Sequence, residues 1–86
     1  MSPAQRDMLE LLPQLKGVLP NRDYAFATEA AEVGEEGVAL HCVCAALHED
    51  QIRFPRAIYV RLEAIGKMME MPPETWEVLA PLVMVP

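Results

Sequence analysis

The chain has 86 residues, which is enough for one domain with a single hydrophobic core. Its hydrophobic content of 52% excludes a disordered chain, and its net charge of -6 argues against binding DNA, RNA or anionic lipid through charge. Prolines and regularly spaced charges interrupt every apolar run, so no segment reaches the ~18 residues of a membrane span.

The beginning of the chain and its cysteines both indicate residence in the cytosol. The first seven residues contain no apolar core of the kind found in signal peptides, so a cytoplasmic protein is expected. Cys42 and Cys44 are two residues apart on a predicted helix and therefore point about 200° away from each other. They cannot form a disulfide with each other without breaking that helix, and we expect free thiols in a reducing compartment.

The first predicted helix begins at Ser2 and Pro3, with the Ser2 side chain as its N-cap. Apolar residues recur at helical spacing from Met8 onward. Pro13 lacks a backbone N–H and should kink or divide this element. The pair Leu19–Pro20 should end it.

The next two helices are predicted to form the middle of the molecule. Asn21 is expected to cap a helix that runs through Val33 and ends at Gly34. A third helix is predicted from about Glu35 to Glu49. Its apolar residues cover a broad arc of the helix surface, which indicates contacts on several sides and a place at the centre of a bundle.

The fourth helix should follow Pro55, with a narrow apolar stripe formed by Ile58, Leu62, Ile65 and Met69. A last short helix carries Trp76, which we expect to anchor the core. The only short extended candidate is the segment 51–54, and the apolar tail 82–86 is predicted either to pack in the core or to form a small self-association patch. The predicted fold is therefore all-α, a compact bundle of four to five short helices in one domain over residues 1–86.

Acidic side chains are concentrated around the third helix. From Asp23 to Asp50 there are seven Asp or Glu residues and no Lys or Arg, so this segment outweighs the net charge of the whole chain. The predicted partner-binding carboxylates lie at the two ends of the helix, about 20 Å apart, and are Glu32, Glu35, Glu36, Glu49 and Asp50. Such a one-signed surface is typical of a protein with a basic partner, although it also fits a solvated face. We favour the first end, whose three glutamates are expected to be exposed.

The same carboxylates could suggest acid–base chemistry, but catalytic pairs need a concave site that separates their pKa values. Here they surround a turn, and no Ser, Cys or Lys is placed as a nucleophile. The position of Glu35 and Glu36 at a helix start also has a structural explanation, since carboxylates there interact favourably with the helix dipole. We therefore expect a protein that is not an enzyme.

Three potential metal ligands share one face of the third helix, namely His41, Cys44 and His48. A closed zinc site needs a fourth ligand, and the one remaining His or Cys of the chain, Cys42, points about 200° away from Cys44 on the helix. It also lacks a glycine-rich phosphate loop. We expect no metal, nucleotide or other cofactor, and we assign His41 and His48 to the predicted partner-binding face.

The central segment resembles a known signature of small proteins. The matching residues run in the order Gly34, Glu35, Gly37, Ala39, Leu40, Cys44, Leu47 and Glu49, and the similarity continues through Ile52, Tyr59, 65–69 and Trp76 to Val83. This pattern resembles that of the MafI-like bacterial immunity proteins, over roughly residues 32–83. The chain departs from it at His41 and Ala45, where acidic residues are common in the family.

The resemblance implies a small helical immunity protein that binds and neutralises the toxic C-terminal domain of a cognate antibacterial toxin. The acidic surface adds the expectation that the toxin domain is basic, of which a nuclease is one type, and that inhibition is stoichiometric. From the helical periodicities we expect the protein itself to be a monomer or weak homodimer. The alternative from a different class is an acidic helical adaptor or antitoxin-type regulator without a secreted-toxin partner. An immunity gene lies directly downstream of a large secreted toxin gene, which separates the two hypotheses.

Overall fold

The computed structural model describes residues 1–85 and confirms the all-α fold. In this part of the chain five α-helices account for most of the structure. Their bounds are Pro3–Leu11 (α1), Asn21–Glu32 (α2), Glu36–Glu49 (α3), Arg56–Met68 (α4) and Glu74–Glu77 (α5). None of the helices in residues 1–85 has the length and apolar character that crossing a membrane requires.

The first helix begins as its sequence predicts, but it ends well before the predicted stop at Leu19–Pro20. Ser2 Oγ accepts a hydrogen bond from the Gln5 N–H at 3.0 Å, which makes Ser2 the N-cap. Pro13 divides the element, because its ring and its missing N–H do not allow the α-helical ladder to continue. The α-helix therefore stops at Leu11, and a 3-10 turn follows over Leu12–Leu15.

The second helix begins one residue earlier than predicted, so the expected role of Asn21 as the cap is wrong. Asn21 is the first helical residue, and Pro20 holds the N-cap position without a side-chain hydrogen bond. The ring of Pro20 fixes φ at -54°, and its ψ of 143° turns the chain into the helix. Backbone geometry rather than side-chain capping therefore starts α2.

The third helix lies at the centre of the bundle, as its broad apolar arc predicts. It contacts α1, α2, α4 and α5, and its closest partner is α2. The two helices make the most extensive contact of the described residues, and both carry buried alanines, including Ala27 and Ala31 on α2 and Ala39 on α3. Small side chains allow two helices to approach closely, so α2 and α3 form a tight helical hairpin across the turn at residues 33–35.

The fourth helix buries the predicted stripe, and Trp76 anchors the core against it. Ile58, Leu62 and Ile65 are buried, while Met69 at the end of the stripe is half-buried. Trp76 is buried and packs on Gly66 of α4, where a Cβ atom would lie 2.5 Å from its Cε3. Gly66 therefore creates the space that the indole ring occupies.

Two very short strands add a feature that the sequence does not predict. Phe54–Pro55 (β1) pairs in parallel with Val83–Met84 (β2), with Phe54 opposite Val83. Of the predicted extended segment 51–54, only Phe54 is a strand residue. A strand of two residues is too short to show the alternation of apolar and polar side chains from which strands are predicted. In the C-terminal tail Leu82 is buried, whereas Met84 and Val85 are exposed; Pro86 lies outside the described residues.

Three helices end in the same hydrogen-bond motif, in which one residue adopts a left-handed conformation. Gly34 serves this purpose after α2 with φ of 84°, but Gln51 and Glu70 serve it after α3 and α4 with φ of 51° and 55°. Residues with a Cβ atom are strained in this conformation. Glycine is therefore the best residue for these positions.

Glu70→Gly should raise the free energy of unfolding by about 0.5–1 kcal/mol, because it relieves this strain. Among the described residues Glu70 forms no ion pair whose loss would offset the gain. Gly34→Ala is the opposite control and should lower the same quantity by about 1 kcal/mol. Urea denaturation measures the free energy of unfolding of both variants. If Glu70→Gly is less stable than wild type, the backbone at Glu70 is not strained.

Candidate partner-binding surface

The segment from Asp23 to Asp50, which covers nearly all of the α2–α3 hairpin, holds the whole excess of negative charge. Seven acidic residues lie between Asp23 and Asp50 without a single Lys or Arg, whereas the rest of the chain holds six acids and seven bases. The ion pairs of the described residues are Arg6–Asp7, Arg61–Glu10 and Lys67–Glu63, all outside the hairpin. No cation within residues 1–85 therefore pairs with the hairpin carboxylates.

The turn between α2 and α3 presents Glu32 and Glu35 to solvent, as predicted. The Glu35 N–H donates to the Ala30 carbonyl at 2.8 Å, and the Gly34 N–H donates to the Ala31 carbonyl at 3.2 Å. These two bonds close the end of α2 and reverse the chain within three residues. Two backbone hydrogen bonds therefore hold the turn, which places Glu35 close after Glu32 at the end of α2.

Glu36 is half-buried, so the prediction that it is exposed is wrong. Its Oε2 accepts a hydrogen bond from Ser2 Oγ at 2.9 Å. Its Oε1 is buried, without a hydrogen-bond partner among residues 1–85. Because Ser2 is the N-cap of α1, Glu36 connects the start of α1 to the start of α3. The side chain has a structural role in this corner and is a poor choice for a charge-reversal experiment.

His41 and His48 lie together on the wall of a groove of about 450 Å³. The α3 side of the groove also contains Cys44 and Ala45. The opposite side comes from the segment after α4 and from α5, and it consists of Met71, Pro72, Glu74, Thr75 and Val78. The helical spacing of the two histidines predicts their shared face, but nothing in the sequence indicates the opposite wall, which is more than 20 residues away in the chain.

The chemistry of Cys44 argues against the metal site that the two histidines could suggest. Its side chain is only 4% exposed, and burial raises the pKa of the thiol to about 12. A thiol with this pKa stays protonated at neutral pH in the metal-free protein and is a poor nucleophile, and as a metal ligand it would first have to lose this proton in a buried environment. In the part of the chain that the structure describes, no three His, Cys, Asp or Glu side chains are arranged to hold a metal ion.

The other cysteine is also protected. Cys42 is half-buried, and its Sγ donates to the Asp23 carbonyl oxygen at 3.6 Å. Burial raises the pKa of this thiol, and the negative charge of Asp23 raises it further. Both cysteines are free. Neither thiol has the depressed pKa of a reactive cysteine.

The far end of α3 presents the second pair of predicted carboxylates. Glu49 is the last helical residue and Asp50 follows it, and both side chains are exposed. The helix of 14 residues separates them from the turn at Glu35 by about 20 Å. The structure therefore keeps the predicted site residues in separate places, with acidic residues at each end of α3 and the histidines on its groove side.

Two exposed apolar residues, one on α2 and one directly after its last residue, belong to the same hairpin but were not predicted. Phe26 is 54% exposed and Val33 is 69% exposed. They are seven residues apart and therefore lie on one side of the helix, with Glu29 between them. Aromatic side chains are enriched in interfaces, and carboxylates at their edge supply charge complementarity. Helical spacing alone could have placed these residues together, but it does not show which face of α2 the core leaves uncovered.

No family model, no curated protein sequence and no solved structure matches the chain.

Proposed function

We propose that this protein is an immunity protein, which binds the toxic C-terminal domain of a cognate antibacterial toxin and neutralises it by forming a one-to-one complex. The observation that carries the proposal is the hairpin charge. Five of its seven carboxylates are exposed, and within residues 1–85 none is paired with a Lys or Arg. The resemblance of residues 32–83 to MafI-like immunity proteins supports the same function.

The proposed mechanism needs no catalysis by this chain. Toxin domains that act on nucleic acids carry basic surfaces, and an uncompensated acidic surface accelerates association with them through long-range attraction. Once bound, the inhibitor covers the active site or holds the toxin in an arrangement that keeps substrate away. It acts in the cytoplasm of the cell that it protects, and it requires no metal or cofactor.

The contact surface that we favour is the outer side of α2 together with the turn that follows it. It combines exposed apolar side chains, Phe26 and Val33, with the carboxylates of Glu29, Glu32 and Glu35. An apolar centre with a charged edge is the usual arrangement of a specific protein interface. Phe26 would be the strongest single contact, since aromatic residues dominate the energy of such interfaces.

The experiment is a titration of the purified protein with the toxin C-terminal domain encoded directly upstream of its gene. Isothermal titration calorimetry should give a stoichiometry of one, and co-expression should restore growth to cells that produce the toxin domain. An unrelated toxin C-terminal domain of similar net charge is the control and should bind much more weakly. If the cognate domain does not bind, or no secreted-toxin gene lies upstream, the adaptor or antitoxin-type regulator becomes the better hypothesis.

A further inference from the structure

We propose that the groove between α3 and α5 is a second contact site, which receives an apolar side chain flanked by Lys or Arg from the toxin domain. The inference rests on the proposed function and adds a surface separate from the outer side of α2. The groove of about 450 Å³ lies on the His41 and His48 side of α3. Its volume is sufficient for one or two side chains of a partner.

The inner surface of the groove fits an apolar group. Ala45 and Val78 line it from opposite sides, and Met71 and Pro72 complete the apolar part. Val78 is 46% exposed although it is a large hydrophobic residue. Concave apolar sites of this kind bind the anchor residues of protein interfaces, because a partner side chain that enters them loses most of its contact with water.

The charges around the groove select the flanking residues of the partner. Glu74 lines the groove directly, whereas none of the lining residues is a Lys or Arg. The negative charge of Glu74 in the lining therefore favours a basic segment and disfavours an acidic one. This is the same charge preference as that of the hairpin, so one basic domain can satisfy both surfaces.

The test compares Val78→Arg with Val60→Arg. The two valines are matched in exposure, since Val78 is 46% exposed and Val60 is 51% exposed. Val60 lies on α4 and is not part of the groove. We expect Val78→Arg to weaken binding of the toxin C-terminal domain by at least tenfold, and Val60→Arg to change it by less than threefold. Equal affinities for the two folded variants would overturn the proposal. If Val78→Arg lowers the melting temperature, Ala45→Gln is used in its place, and it too should weaken binding of the toxin C-terminal domain.

A second probe separates failure of the groove from failure of the proposed function. We would add the acetylated and amidated peptide Lys-Lys-Phe-Lys-Lys to the 15N-labelled protein and follow amide chemical shifts. The proposal expects the largest shifts at Ala45, Thr75 and Val78, whether or not the toxin domain binds. Shifts confined to other surfaces would overturn it. A concentration-dependent dimer that Val78→Arg dissolves would also overturn it, since the occupant would then be a second copy of the chain.

Discussion

Gly66→Ala should lower the free energy of unfolding by roughly 2–3 kcal/mol, although alanine is the better helix former. The added Cβ would overlap the indole ring of Trp76, which is buried and is held by packing, since its Nε1 has no hydrogen-bond partner among residues 1–85. Forcing extra volume into a well-packed core costs about 1–3 kcal/mol and occasionally more, and so close an overlap with the ring places this cost at about 3–4 kcal/mol. The gain of about 1 kcal/mol from helix propensity offsets only part of it. For a domain stabilised by about 5–10 kcal/mol this is a large fraction.

The control is Gly37→Ala on α3, where the same substitution meets only the end of a flexible side chain. A Cβ at Gly37 would lie 3.1 Å from Cε of Met69, which can rotate away. This variant should therefore be neutral or stabilised by up to about 1 kcal/mol. Thermal unfolding should separate the two variants by more than about 10 °C. Equal melting temperatures would mean that Trp76 moves easily and does not depend on Gly66.

Leu40→Ala should lower the free energy of unfolding by about 2–5 kcal/mol. Leu40 is fully buried in the middle of α3, the helix that contacts α1, α2, α4 and α5. Its removal leaves a cavity where several helices meet, and a rigid core closes such a cavity only in part. Val38→Ala on the same helix is the control, because Val38 is exposed. A melting temperature unchanged from wild type in Leu40→Ala would show that α3 does not have the central place assigned to it.

Local sequence signals account for most of the helices. Pro13 ends α1 because proline removes a backbone donor, and the period of Ile58, Leu62 and Ile65 predicts the buried side of α4. These signals act within one or two helical turns. The first residue of α2 was missed because Pro20 starts the helix by its backbone angles, while capping rules consider the side chain of Asn21.

Features that depend on distant parts of the chain could not be predicted in this way. The bond between Ser2 and Glu36 joins residues 34 positions apart, so the charge of Glu36 alone suggested exposure. The groove wall and the packing of Trp76 on Gly66 depend equally on how α4 and α5 meet the rest of the bundle. In the candidate site, the acidic hairpin and the histidine face could be predicted from the sequence. The exposure of Phe26 could not, because it depends on how α2 packs against the other helices.

The central claim is that the acidic turn between α2 and α3 attracts a basic toxin domain. The most direct measurement is the association rate of Glu32→Lys/Glu35→Lys with the cognate toxin C-terminal domain, by stopped-flow fluorescence at low and high salt. Glu36 stays unchanged because its hydrogen bond to Ser2 supports the fold. Glu49→Lys/Asp50→Lys is the matched control with the same change of charge at the other end of α3.

We predict that Glu32→Lys/Glu35→Lys associates at least about tenfold more slowly than wild type at low salt and loses most of the salt dependence of the rate. The control should show a smaller decrease, and both variants should keep the wild-type melting temperature, since the four side chains are exposed. If Glu32→Lys/Glu35→Lys associates at the wild-type rate at low salt and still protects cells, the acidic turn is only a solvated surface and the account is contradicted.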